Sequence, residues 1–145
     1  FSSGDPDAED YIEGNTEGMS TAFVPLSAPV ISNTFSLKPG NSSHVGVSYS
    51  ARPLAAIGAD VLQAEAKAVL YLRSSGSGAV SEPTVNADSD GLYVGTDLNL
   101  VLTYQPFSDV RLVLANGMFL PNAAVMNAGS EDLQYQGTLQ AIVRF

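Results

Sequence analysis

The feature that most constrains this chain is a hydropathy period of two, sustained through five separate segments. From Leu92 to Tyr104, the residues Leu92, Val94, Leu98, Leu100, Leu102 and Tyr104 share one face, interrupted only by Thr96, while Gly95, Asp97, Asn99 and Thr103 share the other. Leu62, Ala64, Ala66, Ala68, Leu70 and Leu72 alternate with Gln63, Glu65, Lys67 and Arg73. Val45, Val47, Tyr49 and Ala51 alternate with His44, Ser48, Ser50 and Arg52. Between Val110 and Leu120, Leu112, Leu114, Met118 and Leu120 lie opposite Arg111. Tyr135, Leu139, Ala141, Val143 and Phe145 lie opposite Gln134, Gln136, Thr138, Gln140 and Arg144. Successive side chains of a strand point to opposite faces, so a period this regular predicts strands. The segment 61–73 also holds good helix formers. A helix would scatter Ala64, Ala68 and Leu72 around its axis, whereas the alternating charges and the neighbouring strands select an extended chain.

The apolar faces could meet each other in a soluble sandwich, or they could meet lipid. These segments run about 10 to 13 residues, against about 5–6 for an ordinary globular strand. A transmembrane β-strand needs about 9–11 residues, tilted by about 45°. Connections alternate in length. A short link containing Pro53 and Gly58 and a tight turn at Gln105-Pro106-Phe107-Ser108 contrast with the long polar links 74–91 and 121–133. Short turns on one side and long loops on the other are the habit of outer-membrane barrels. Charge alone does not separate the two readings, because a soluble sheet would also send Arg52, Lys67, Arg73, Arg111 and Arg144 to its polar face. The alternating strand that ends at Phe145 does: it resembles the carboxy-terminal assembly signal of bacterial outer-membrane barrels. The expected fold is therefore all-β, a transmembrane antiparallel β-barrel, with residues 1–145 forming the carboxy-terminal strands of a larger up-and-down barrel. Residues 1–42 read as a long external loop region and residues 43–145 as about five membrane-spanning strands. Leu62, Leu70, Leu98, Leu100, Leu102, Leu112, Leu114, Val143 and Phe145 are expected to face lipid. Tyr49, Tyr71, Tyr93, Tyr104, Phe107, Phe119 and Phe145 sit near strand ends, where aromatic girdles belong.

Three short motifs extend the reading. Gly95-Thr96-Asp97-Leu98, Tyr104-Gln105-Pro106-Phe107 and Gly117-Met118-Phe119-Leu120-Pro121 resemble the closing strands of alginate-export-like outer-membrane barrels. Ser3-Gly4-Asp5 is similar to the Ser-Gly-Asp that ends an earlier strand of that family and enters a long external loop. The resemblance implies a large monomeric barrel in the bacterial outer membrane, and its best-known member exports an anionic polysaccharide through a pore lined by basic residues. Five spanning strands plus the tail of another at Phe1 fall short of the even number, from about 8 upward, of single-chain bacterial barrels. Another polypeptide is therefore expected to supply the remaining strands. The first residue is Phe, with no charged and apolar leader after it, so any signal peptide is expected to have been removed.

Composition then limits the chemistry. With 15 acidic against 6 basic residues, no nucleic-acid groove is expected. The chain has no cysteine, which removes disulfides and thiol chemistry, and only one histidine, His44. Ser42 and Ser43 adjoin His44, but no Gly-x-Ser-x-Gly elbow exists, so no enzyme and no cofactor are expected. No apolar run approaches the 18 residues of a spanning helix. Asp5, Asp7 and Glu9 are spaced to offer carboxylates to calcium, although Pro6 and the lack of an EF-hand register favour a solvated loop. In a barrel, Arg52, Glu65, Lys67, Arg73, Asp97, Arg111 and Arg144 would line the pore with His44, either as a partly basic path for small or anionic solutes or as cross-strand ion pairs such as Lys67 with Asp97. A passive channel or export porin is the expected function. The rivals are a barrel that anchors an outer-membrane assembly and transports nothing, and a soluble secreted β-sandwich that binds a ligand through its loops.

Overall fold

A computed structural model describes residues 32–38, 40–57, 60–76, 80 and 82–144. They form one antiparallel sheet of five strands in sequential order, β1 (Ser42–Ala51), β2 (Leu62–Arg73), β3 (Tyr93–Phe107), β4 (Val110–Pro121) and β5 (Gln134–Val143). One 3-10 turn, Ala55–Ile57, lies between β1 and β2. The sheet is open, and β1 and β5 are its edges among the described residues. No described helix is long and apolar enough to cross a membrane, which says nothing of strands.

Register follows the period of two. Val47, Ala68, Leu98, Met118 and Tyr135 are successive cross-strand partners on one face; Ser48, Lys67, Asn99, Gly117 and Gln136 line up on the other. These are called the apolar and polar faces below. Two bulges break the register, each with a local cause. Tyr71 pairs with Gly95 while Leu72 pairs with Tyr93, so Val94 is the extra residue of β3. It turns inward and is fully buried, a correction to its expected place on the apolar stripe. Asn122 holds this kink, donating from its backbone to the Val94 carbonyl and from Nδ2 to the Tyr93 carbonyl, both at 2.8 Å. The second bulge lies between Tyr104 and Phe107. Pro106 has no N–H to give a ladder, and a bulge is where a strand tolerates it. The expected turn at residues 105–108 is thus strand as far as Phe107, and Ser108 and Asp109 alone reverse the chain.

Both short connections lie at one end of the sheet, and the links 74–92 and 122–133 lie at the other. The two long links fold against each other. Val85 bridges Met126, Asn86 N donates to the Val125 carbonyl and Asn127 N to the Thr84 carbonyl, both at 2.8 Å. Val80, Val85, Val125 and Met126 are buried there. With Phe35, Leu37, Val69, Tyr71, Val94 and Phe119 they make up the hydrophobic cluster of the described residues. Its ladder-paired members Val69, Tyr71 and Phe119 stand on the polar face, toward which the bulged Val94 also turns, so the core lies on that side of the sheet.

Candidate functional site

The polar face is covered over half its length by a strap, residues 32–38, that crosses the end nearer the long loops. Its anchors are residues the alternation sends to that face. Asp97 is fully buried and accepts from the Phe35 backbone N–H at 3.1 Å. Asn99 accepts from the Asn33 N–H at 3.1 Å and exchanges hydrogen bonds with the Ser32 hydroxyl, while its Nδ2 also donates to Asp97. Tyr71 donates its hydroxyl to the Phe35 carbonyl at 2.8 Å. The Phe35 ring stacks on Phe119 with centroids 3.9 Å apart and meets Tyr71 edge-on at 5.2 Å. Two glycines make room. A Cβ at Gly95 would come within 2.6 Å of the Phe119 ring, and one at Gly117 would collide with the Thr34 hydroxyl. Asn41, at φ 50°, then turns the chain into β1 and locks to Ser75 through both its amide atoms; asparagine is among the few side chains that adopt this conformation readily.

The seven charges expected on one surface divide into three groups. Arg73 (2% exposed) and Asp97 (0%) stand on the polar face but are covered by strap and loop, not open along it. Arg73 donates to the Ser89 and Ala87 carbonyls, and so tethers the long β2–β3 link. Lys67 and Asp97 are diagonal rather than direct cross-strand neighbours: Val69 is the partner of Asp97, and Asn99 that of Lys67. Arg52 leaves the ladder at the end of β1 and pairs with Asp60 at 2.7 Å across the short link. Glu65, Lys67, Arg111 and Arg144 occupy the uncovered half, Lys67 half-buried and the others exposed. A recess of about 240 Å³ opens beside Lys67, lined by His44, Gly46, Val47, Ser48 and Val69. Among the described residues no group of three His, Asp or Glu side chains is placed to hold a metal. Asp5, Asp7, Glu9 and the Ser3-Gly4-Asp5 motif lie outside the described residues, as does Phe145.

On the opposite face, Leu62, Leu70, Leu98, Leu100, Leu102, Leu112, Leu114 and Val143 stand on one side of the sheet, with no described residue layered over the leucines of β3, which keep 40% and 42% of their surface at Leu98 and Leu100. Tyr49, Tyr104 and Phe107 lie on it toward the short-turn end, and Tyr93 toward the other. Tyr71 and Phe119 do not belong to such a girdle: parity puts them on the polar face, buried under the strap. Asn116 is a polar side chain on the apolar face, beside Leu100. Tyr135 donates its hydroxyl to Asn116 Oδ1 at 2.6 Å, reaching over Gly137, the cross-strand partner of Asn116. Tyr135→Phe keeps the ring and removes the donor. An amide oxygen left unpaired away from water costs about 1–3 kcal/mol, so this variant is expected to lose that much in denaturant unfolding within lipid, and almost nothing if the face is wet.

The strap itself has no local signature. Its partners do leave a trace: alternation fails where the strands enter the long loops. Val69-Leu70-Tyr71-Leu72 and Met118-Phe119-Leu120 are apolar on both faces, so the side expected to be polar turns apolar there, as a covered strand end does. No protein-family model, curated protein or solved structure matches the chain.

Proposed function

We propose that this chain is the carboxy-terminal part of a β-barrel spanning a bacterial outer membrane, a passive channel or export porin whose lumen is the polar face. The observation that carries the reading is where the chain buries its apolar side chains. A sheet in water places its core under its apolar face. Here the packed core sits over the polar face, while the face bearing the leucines stays bare. Lipid outside and a lined interior give both faces a suitable environment. Length agrees: the 12 residues of β2, at roughly 3.3 Å each and tilted by about 45°, span an apolar band of about 25 Å. The aromatic side chains toward either end of the bare face fit the interfaces of such a band.

In this reading the half of the lumen under the strap is narrow, and the solute path runs past Lys67, Arg111 and Arg144. Lys67 lies in the middle of β2 and Arg111 near the short-turn end of β4, so small or anionic solutes are favoured over cations. Reconstituted in a planar bilayer, the assembled protein is expected to conduct with anion preference, and Lys67→Glu with Arg111→Glu is expected to shift the reversal potential toward cation preference. An unchanged reversal potential would remove these residues from the path. The strap also favours a second reading, a barrel closed by its own chain that anchors an outer-membrane assembly. Zero conductance in a protein that still requires detergent for extraction selects that reading. Extraction in plain buffer selects the soluble module and overturns both.

A further inference from the structure

The two edges of the sheet run in the same direction. Each neighbouring pair is antiparallel, and with five strands in sequence β1 and β5 both descend from the long-loop end to the short-turn end. Along both edges the apolar face is barer than at the middle of β3: Val47, Tyr49 and Leu139 are 70%, 73% and 75% exposed, nearly twice Leu98 and Leu100. That excess is the flank an adjacent strand would cover. In hydrocarbon every backbone N–H and C=O needs a partner, so neither edge can stay open.

Resting on the barrel reading above, we propose that another stretch of polypeptide, contributing an odd number of strands, bridges the β5 edge to the β1 edge, and that further copies of this sheet do not. A ring of copies would set β5 of one beside β1 of the next, and those strands are parallel. A parallel ladder has slanted bonds and slightly less stability per residue, and every seam of such a ring would have one. An odd number of inserted strands is antiparallel to β1 at one seam and to β5 at the other. It also makes the total even, as in bacterial single-chain barrels, and with a minimum of about 8 strands it means about three or more. The bridging strands carry apolar side chains level with Val47 and Leu139 and polar ones level with Ser48 and Gln140, since a shift of one residue would reverse their faces.

The test uses the assembled protein in outer-membrane fractions and exploits a chain that has no cysteine of its own. Backbone amides of Ser42–Ala51 and of Gln134–Val143 are expected to exchange hydrogen as slowly as those of Tyr93–Phe107. Mixed single-cysteine variants on the two edges (Val45, Val47 or Tyr49 with Tyr135, Leu139 or Val143) are expected to give no covalent pair of this chain on oxidation. Fast exchange at either edge, or a β1-to-β5 covalent pair between copies, would overturn the proposal. A conducting protein that shows such pairs loses this inference and keeps the channel; a silent one with slow edges and no pairs does the reverse.

Discussion

Arginine in place of Leu100 is expected to lower the stability of the assembled protein in a bilayer by about 2–4 kcal/mol, the penalty for a guanidinium on the lipid side of a barrel near the midplane. Leu100 is the residue for this experiment because it sits in the middle of the central strand, between Ala66 and Asn116, and its side chain leaves the sheet on the bare face. The matched control is Thr103→Arg, three residues along the same strand and on the opposite face beside Gln63 and Val113. There the new charge meets a polar, wetted surface, and the change should stay within about 0.5 kcal/mol. Urea titration in vesicles reads both. Unequal costs in this order place hydrocarbon against Leu98, Leu100 and Leu102. Equal, small costs would mean that water covers both faces, and the membrane reading would be lost.

What the chain discloses before folding depends on how local the cause is. The bounds of β2, Leu62 to Arg73, follow from local alternation together with the alternating charges and the neighbouring strands, because strand parity is a property of the backbone that each residue expresses by itself. The link at residues 105–108 does not: Pro106 looks like a turn residue, and only the bulge against β4 lets it continue the strand. Val94 fails for the same kind of reason, since one inserted residue moves a side chain to the other face. Parity puts Glu65, Lys67, Arg73, Asp97 and Arg111 on one side of the sheet, yet parity is blind to depth. Arg73 and Asp97 are spent on loop carbonyls and on the Phe35 amide, contacts that join segments 14 to 62 residues apart. Tyr71 and Phe119 illustrate the same limit. Near the end of a membrane strand an aromatic residue suits an interface, and its odd position is the only hint that it instead faces inward toward a partner such as Phe35.

Removing that partner is the sharpest way to learn what the strap does. Phe35→Ala deletes a ring that is 7% exposed, stacked on Phe119 and edge-on to Tyr71, and truncations of buried phenylalanine cost about 3–5 kcal/mol. The hydrogen bonds the strap makes with Asp97, Asn99 and Tyr71 contribute less each, about 0.5–1.5 kcal/mol for neutral pairs and about 1.5–3 for the carboxylate. No strand ladder involves Phe35, so the loss falls on the docking of the strap and not on the pairing of the sheet. At about 1.4 kcal/mol per factor of ten, the amides of Asn33 and Phe35, held by Asn99 and Asp97, are expected to exchange roughly two to three and a half orders of magnitude faster. Amides in the middle of β3 should stay unchanged. If the strap narrows the lumen, single-channel conductance rises with its release. A strap whose amides exchange freely while conductance stays at the wild-type level lies outside the solute path, and its service is then to fasten the long-loop end of the sheet.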